Sequence, residues 1–463
     1  MKKHTIGILA AYADLYNRLC PGIGGQLKQI MDTMIAECTI DGIDFVVSEA
    51  VSTPQQIDRE CRNLAEKKVD LLVVALAPYC PSGALAPSLV SIDVPVVLWP
   101  AQTMYRLDPE KYDADTIIFN HGVHAVQDLA NVLRKRGRNF GILHGHCKEE
   151  PFRKELRSWA QAGAAIRALQ KAYPVQIGGH FEDMLDLQIG AEEFITKVNI
   201  RHTEISRPEF SEQMQSVSQQ QVARCLESYQ SLFIIDASVR RDLLEKAARG
   251  EAALRGIMEK YQSCAFGLNF LELCNDRTIA EPLHVAGSIL MSEGYGYAAE
   301  GDWVTAGFVY AMQQAFGCAS FSEIFSVGYA DHRLVLKHWG EGNFRMGRQK
   351  PKLLPSTFSD QNQCEFAIVD FEFEPGAVTL LNLNSTADGR GQLIAMTGSV
   401  SPDPLPRTNG PRGIFQPEVP DISEFLSRYA RQGGSHHLAL VKGDQTRTAE
   451  KICDVTGWKY IRI

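Results

Sequence analysis

Two glutamates stand in settings unusual for a surface acid. Glu300 follows a run of small and aromatic residues, Gly294, Tyr295, Gly296, Tyr297, Ala298 and Ala299, and precedes Gly301, Asp302 and Trp303. Glu323 lies in the apolar run 321–325, which reads as a short buried strand. A carboxylate among apolar neighbours is costly unless it is paired, protonated or bound to a metal. Two such acids in one window point to acid/base or metal-assisted chemistry. The plainer alternative is one solvated loop acid and one acid on a strand edge. Asp302 has its own reading: its side chain can accept bonds from the free N–H groups of a first turn, so it should cap a helix starting at Trp303.

Other polar groups have weaker claims. His144 and His146 flank one glycine and could share a metal, but loop histidines without further ligands nearby rarely do. The glycines of Cys-Pro-Gly-Ile-Gly-Gly at 20–25 could let backbone N–H groups approach an anion. The pattern is not that of a dinucleotide loop, so a turn before a helix is the better reading. Asn120, His121 and His124 come just after a predicted strand, where a histidine more often caps a helix than serves a site.

The chain of 463 residues is long enough for two to four domains with a sizeable core. Its net charge of −8 argues against nucleic acid or an anionic membrane surface as partner. No apolar run approaches the roughly 20 residues of a membrane span, and Asp14 interrupts the apolar N-terminal stretch too early for a signal peptide. Eleven cysteines without a C-x-x-C pair suit buried free thiols in a reducing cytoplasm.

The elements that must position the acids are legible as alternation. Strands are expected at 5–11, 44–51, 69–75, 94–98 and 140–143, with another short apolar run at 116–119. Helices are expected at 26–37, 54–67, 125–135 and 149–172. This order implies a parallel sheet covered on both faces, with ligands at the carboxyl ends of its strands. A second α/β segment begins near Val175, with a strand at 175–178, a polar helix at 214–228, a strand at 232–236 and a helix at 239–261 that could break near Gly250. The stretch 265–273 reads as a strand with a polar edge, and a helix at 284–292 leads into the glutamate window. After Tyr329 short apolar runs at 334–336, 366–373, 378–381 and 393–397 alternate with turn residues, as in a small antiparallel barrel or sandwich. There Glu372 and Glu374 should face solvent, 401–412 should be a loop, 422–431 a helix and 438–441 a strand. The predicted fold is therefore two doubly wound α/β domains, 1–173 and 174–328, followed by a mainly antiparallel β-barrel-like domain, 329–463.

Spacing alone does not connect the two glutamates to a ligand set. A resemblance does. The segments GYGYAAEGDW, SFSEIF, the histidine of Lys337-His338-Trp339 and GGSHHLAL stand in the order in which the L-arabinose isomerase family, related to L-fucose isomerase, carries its metal-binding Glu, Glu, His and His. The resemblance implies a divalent metal, manganese first and magnesium or cobalt next, held by Glu300, Glu323, His338 and His437. It implies that Glu300 and Glu323 also serve as the catalytic acid/base pair of an aldose–ketose isomerase, moving a proton between C1 and C2 through an enediol. Tyr16, His124, Phe270 and His436 are then the expected sugar contacts. It further implies a homo-oligomer of trimeric or hexameric type, because in the family the N-terminal region reaches a neighbouring subunit's site.

The departures concern sugar recognition more than metal binding. The family's G-S-Q-H-L-Y gives way to Tyr12-Ala13-Asp14-Leu15-Tyr16, its N-Q-S-A-H to Asn120-His121-Gly122-Val123-His124, the lysine after G-D-W to Val304, and F-M-E-D-Y to Phe321-Ser322-Glu323-Ile324-Phe325. Buried polar groups discriminate strongly among hydroxyl patterns, so the substrate expected here is a sugar other than L-arabinose. The alternatives are a non-catalytic sugar-binding or regulatory protein on the same frame, which has little use for four ligands, and a related metal-dependent epimerase or aldolase.

Overall fold

The computed structural model describes residues 3–188, 200–357 and 364–463. Contacts divide the chain into two compact units, Met1–Arg167 with Arg447–Trp458 and Ala168–Thr446 with Lys459–Ile463. In the first, five parallel strands lie in the order Ile43–Val47, His4–Ala10, Leu71–Ala75, Val96–Trp99, Gly141–Ile142. Successive side chains leave a strand on opposite faces, and both faces are covered. Ile6, Ile8, Val73 and Trp99 join one core with Leu27, Met31 and Trp159. Leu9, Leu72, Val74 and Leu98 join another with Ile57, Leu85 and Leu129. Sheets buried on both sides need continuous apolar strands, which is why Leu71–Ala75 has no polar residue.

The second unit contains a four-stranded parallel sheet, in the order Gly296–Ala299, Ala265–Leu268, Val175–Ile177, Thr203–Ile205. It also contains a closed antiparallel barrel of six strands: Gly391–Val400, Gly376–Ser385, His437–Lys442, Ala319–Gly328, Arg333–Lys337 and Pro411–Pro417, the last pairing back onto the first. Closure removes the free edges an open sheet would expose. The strands Glu365–Glu372, Lys352–Thr357 and Ile234–Ile235 extend the sheet from Pro411–Pro417. Among the described residues no helix is long and apolar enough to cross a membrane.

Several elements differ from the expectation. The run at 116–119 is the end of a short helix, Ala114–Ile118, because Asp113 accepts from Thr116 N and starts a turn there. His121 and His124 therefore follow a helix and not a strand. The polar helix at 214–228 is two helices, Arg207–Ser216 and Gln219–Leu232, because Ser218 and Gln221 form a capping box that starts the second. The expected break at Gly250 does not occur: Arg241–Lys260 runs through it, and a Cβ there would lie 2.5 Å from Leu283 Cδ2, so the glycine serves packing. The stretch 265–273 splits at Asn269, which caps the helix Phe270–Asn275. Glu372 is buried, held by Arg348 and by Arg412 Nη2 at 3.5 Å, while Glu374 is exposed. Nine of the cysteines are free, but Cys274 and Cys364 form a disulfide, so the expectation of free thiols throughout does not hold. The strand Lys352–Thr357, the helix Thr446–Thr456 and the strand Lys459–Arg462 are not among the elements expected from the sequence.

One backbone approach fixes the junction after Gly296–Ala299. Gly301 has φ +78°, and a Cβ there would sit 2.0 Å from the Gly179 carbonyl oxygen. Replacing Gly301 by Ala combines a left-handed conformation with a backbone clash. It should destabilise the protein by roughly 3 kcal/mol, read as a lower urea midpoint with unchanged slope. A loss under about 0.5 kcal/mol would show that the approach is not needed.

Candidate metal centre

Glu300 stands where a parallel strand hands over to a helix. Gly296–Ala299 ends, Glu300 adopts φ +60°, Gly301 turns the chain, and Trp303–Phe316 begins with Asp302 as its N-cap, accepting from Thr305 N at 2.9 Å. A left-handed conformation costs a non-glycine residue about 1–2 kcal/mol and is typical of positions held for a purpose. Neighbouring chain holds the turn: Gln176 Nε2 donates to Gly301 O at 2.7 Å, Phe181 N to Glu300 O at 3.2 Å and Asn269 Nδ2 to His180 O at 3.0 Å.

Barrel register explains how residues more than a hundred positions apart meet. Glu323 lies on Ala319–Gly328, directly opposite Lys337 on one side and His437 on the other. His338 follows Lys337, so both histidines flank the same carboxylate. Glu323 Oε1 is 3.3 Å from His338 Nε2 and 3.3 Å from His437 Nε2, and His437 Nε2 is 3.3 Å from Glu300 Oε2. Glu323 Oε1 and both Nε2 atoms are buried without a hydrogen bond. Glu300, Glu323, His436 and His437 each offer one atom within 4.8 Å of the others.

The opposite edges of the imidazoles are occupied. His437 Nδ1 is 2.9 Å from Asp302 Oδ2, and His338 Nδ1 is 2.7 Å from Glu341 Oε1. Glu341 is fully buried; its other oxygen is 2.7 Å from His284 Nδ1, and Tyr297 donates its hydroxyl to Oε1 at 2.6 Å. His436 differs. Its side chain is 35% exposed, against 0% for His437 and 1% for His338, and it bridges Glu300 Oε2 at 3.0 Å and Asp186 Oδ2 at 2.7 Å.

These contacts set the electrostatics of the cluster. Burial disfavours the Glu300 carboxylate, but His436 and His437 outweigh it and bring its pKa down to about 2. Burial likewise opposes charge on His437, yet Asp302, Glu300 and Glu323 raise its pKa well above the ordinary imidazole value. His338 is raised against the same desolvation by Glu341 and Glu323. For Glu341, burial is overcome by His284 and His338, and its pKa falls well below the carboxylate range. The cluster thus concentrates negative charge and leaves imidazole nitrogens facing it, a donor set of oxygen and nitrogen that suits a divalent first-row cation. Adjacent ligands at about 2.1 Å from an octahedral ion lie about 3 Å apart, close to the separations here.

The description "L-arabinose isomerase central domain" matches residues 193–316. The L-arabinose isomerase of Acidothermus cellulolyticus is 22% identical over 433 residues, covering 88% of this chain and 83% of that protein. The Geobacillus kaustophilus L-arabinose isomerase is 22% identical over 456 residues, covering 95% and 90%. That of Serratia proteamaculans is 22% identical over 436 residues, covering 90% and 85%. The chain is thus similar to L-arabinose isomerases along most of its length. The matched stretch carries Glu300, Asp302 and Phe270, while Glu323, His338 and His437 lie beyond it.

The remaining expected site residues fall in both units. Phe270 is buried, with its ring 6.1 Å from His338 and 5.0 Å from Phe181. Tyr16 and His124 belong to the first unit. Tyr16 opens the short helix Tyr16–Leu19 and packs on that unit's core. His124 is exposed, stacks on Tyr79 at 4.8 Å and sits 2.9 Å from His121 Nε2. Reasoning from sequence found Asp302 only as a cap and missed Glu341, His284 and Asp186. An acid between two glycines, as in Gly340-Glu341-Gly342, was the available signal for Glu341: a Cβ on Gly340 would lie 2.8 Å from His284 Cδ2. Glu341→Leu would leave two imidazoles and a tyrosine hydroxyl without their acceptor. It should cost about 3–5 kcal/mol in urea unfolding, and a change under about 1 kcal/mol would mean the carboxylate is dispensable to this core.

Proposed function

We propose that this chain is a metal-dependent aldose–ketose isomerase that moves a proton between C1 and C2 of a sugar other than L-arabinose. The observation that carries the reading is the convergence of two imidazole Nε2 atoms on one buried glutamate, with each Nδ1 set against a second carboxylate. Ligating histidines commonly use such a partner to fix ring orientation and tautomer. Glu300, Glu323, His338 and His437 would hold the ion, with Mn2+ favoured and Mg2+ or Co2+ also compatible with the donor set. When bound, the ion supplies Lewis-acid stabilisation of charge developing on the sugar's C1 and C2 oxygens. The two carboxylates do the proton work, removing a proton from the hydroxyl-bearing carbon and returning it to the former carbonyl carbon through an enediol. Because they share one setting, they titrate as a pair.

His436, partly open to solvent, and Phe270 would contact the sugar, with Tyr16 and His124 contributing from a neighbouring copy in a trimer or hexamer. Residues 1–173, 174–328 and 329–463 would then be three functional parts, the middle one carrying Glu300 and Glu323 and the last His338 and His437. The cytoplasm is the proposed location. The substrate reading rests on the altered stretches around Asp14–Tyr16 and Asn120–His124 and on Val304, since hydroxyl recognition depends on polar groups of this kind.

The direct test screens pentoses and hexoses with added Mn2+ for interconversion and for exchange of the C1 or C2 hydrogen with solvent. Turnover with exchange is expected. Glu300→Gln should lower kcat by roughly a hundredfold or more while keeping the unfolding transition; turnover near that of the unmodified protein would remove the mechanism. Metal affinity gives a second check. Ligating imidazoles must be deprotonated, and the carboxylates around His437 raise its pKa well above the ordinary imidazole value. Mn2+ affinity should therefore rise about tenfold per pH unit for each proton released between pH 6 and 8, with proton release seen by calorimetry in buffers of different ionisation enthalpy. A flat affinity would contradict ligation by these imidazoles.

A further inference from the structure

We propose that Asp186 is a positioning residue that holds the partly exposed His436 imidazole with its Nε2 edge against Glu300; the catalytic consequence rests on the isomerase reading. One carboxylate oxygen grips the same residue twice: Asp186 Oδ2 is 2.7 Å from His436 Nδ1 and 3.5 Å from His436 N. A carboxylate can only accept, so Nδ1 carries the proton of that bond, and Nε2 is turned to Glu300 Oε2 at 3.0 Å. The backbone around the ring is fixed separately. Asn382 Nδ2 donates to Ser435 Oγ at 2.6 Å and to His437 O at 2.9 Å, and Tyr429 donates its hydroxyl to Ser435 O at 2.5 Å. Without Asp186, the loop would keep its place while the ring lost the partner that sets its rotation.

Asp186 itself stands on a braced turn. It lies in the short helix Leu185–Leu187, whose Leu187 is buried, and Gln188 Nε2 donates to Phe181 O at 2.8 Å. Phe181 N in turn donates to Glu300 O at 3.2 Å. The segment that carries Asp186 is thus tied to the backbone of the glutamate that His436 touches. The other two imidazoles near the cluster, His338 and His437, have their Nδ1 atoms set against buried carboxylates, whereas the His436–Asp186 pair lies where a sugar could reach it. A simple surface ion pair would contribute little to stability, and its loss would leave turnover unchanged.

The test compares Asp186→Ala and Asp186→Asn with the unmodified chain, Mn2+ present. Asp186→Ala should lower kcat roughly tenfold to a hundredfold, with the unfolding midpoint and Mn2+ affinity unchanged. Asp186→Asn, which retains an accepting oxygen, should recover most of the rate. Unchanged kcat in Asp186→Ala overturns the proposal. A tenfold or greater loss of Mn2+ affinity also overturns it, because His436 would then be a ligand and Asp186 its support. A readout without turnover keeps the two readings distinguishable. In histidine labelled with nitrogen-15, with His436→Gln used for assignment, the unmodified protein should show a protected His436 Nδ1–H that Asp186→Ala loses. The same signal in both proteins overturns the positioning role even if no sugar is converted, and its loss supports that role even then.

Discussion

Glu323 is opposed to His437 on one side and to Lys337 on the other, and His338, the residue after Lys337, brings a second imidazole to the same carboxylate. The strand order makes the arrangement possible. Ala319–Gly328 has Arg333–Lys337 on one side and His437–Lys442 on the other, so two imidazoles approach one acid from opposite flanks. A slip of one residue in either pairing would turn the side chain to the other face. The register is therefore what brings these side chains together.

Burying this much charge has a physical cost. Glu300, Asp302, Glu323 and Glu341 are each under 10% exposed, as are His284, His338 and His437. Like charges in a low-dielectric interior repel, and a buried pair returns its desolvation cost only when the geometry is good and the remaining polar atoms are satisfied. Asp302 and Glu341 meet that condition through an N-cap bond and a tyrosine hydroxyl. Glu323 Oε1 and the facing Nε2 atoms do not, since they are close together without hydrogen bonding. Unsatisfied buried atoms that converge are what a cation would neutralise, and the left-handed Glu300 backbone adds strain at the same place.

Much of this was readable before any coordinates. Strands of the first unit stand out because sheets covered on both faces need unbroken apolar runs, and the helix at Trp303 because Asp302 is an effective cap. Glu323 was legible as an acid in a buried strand. What local sequence could not supply was distance. Asp186 and His436 are 250 residues apart, and only the fold brings them together. Glu341 carried no expectation because its partners, His284 and Tyr297, come from other elements. Glu372 was assigned to solvent by strand alternation, whereas Arg348 and Arg412 stabilise it inside. In each case a long-range charge partner overrode a local pattern.

We propose a single cation held by donors from the strand-to-helix turn and the barrel. Anomalous diffraction from crystals grown with Mn2+ addresses it directly. One strong peak within bonding distance of Glu300, Glu323, His338 and His437 is the predicted result. A peak at some other group of side chains, with none among these four, would contradict it.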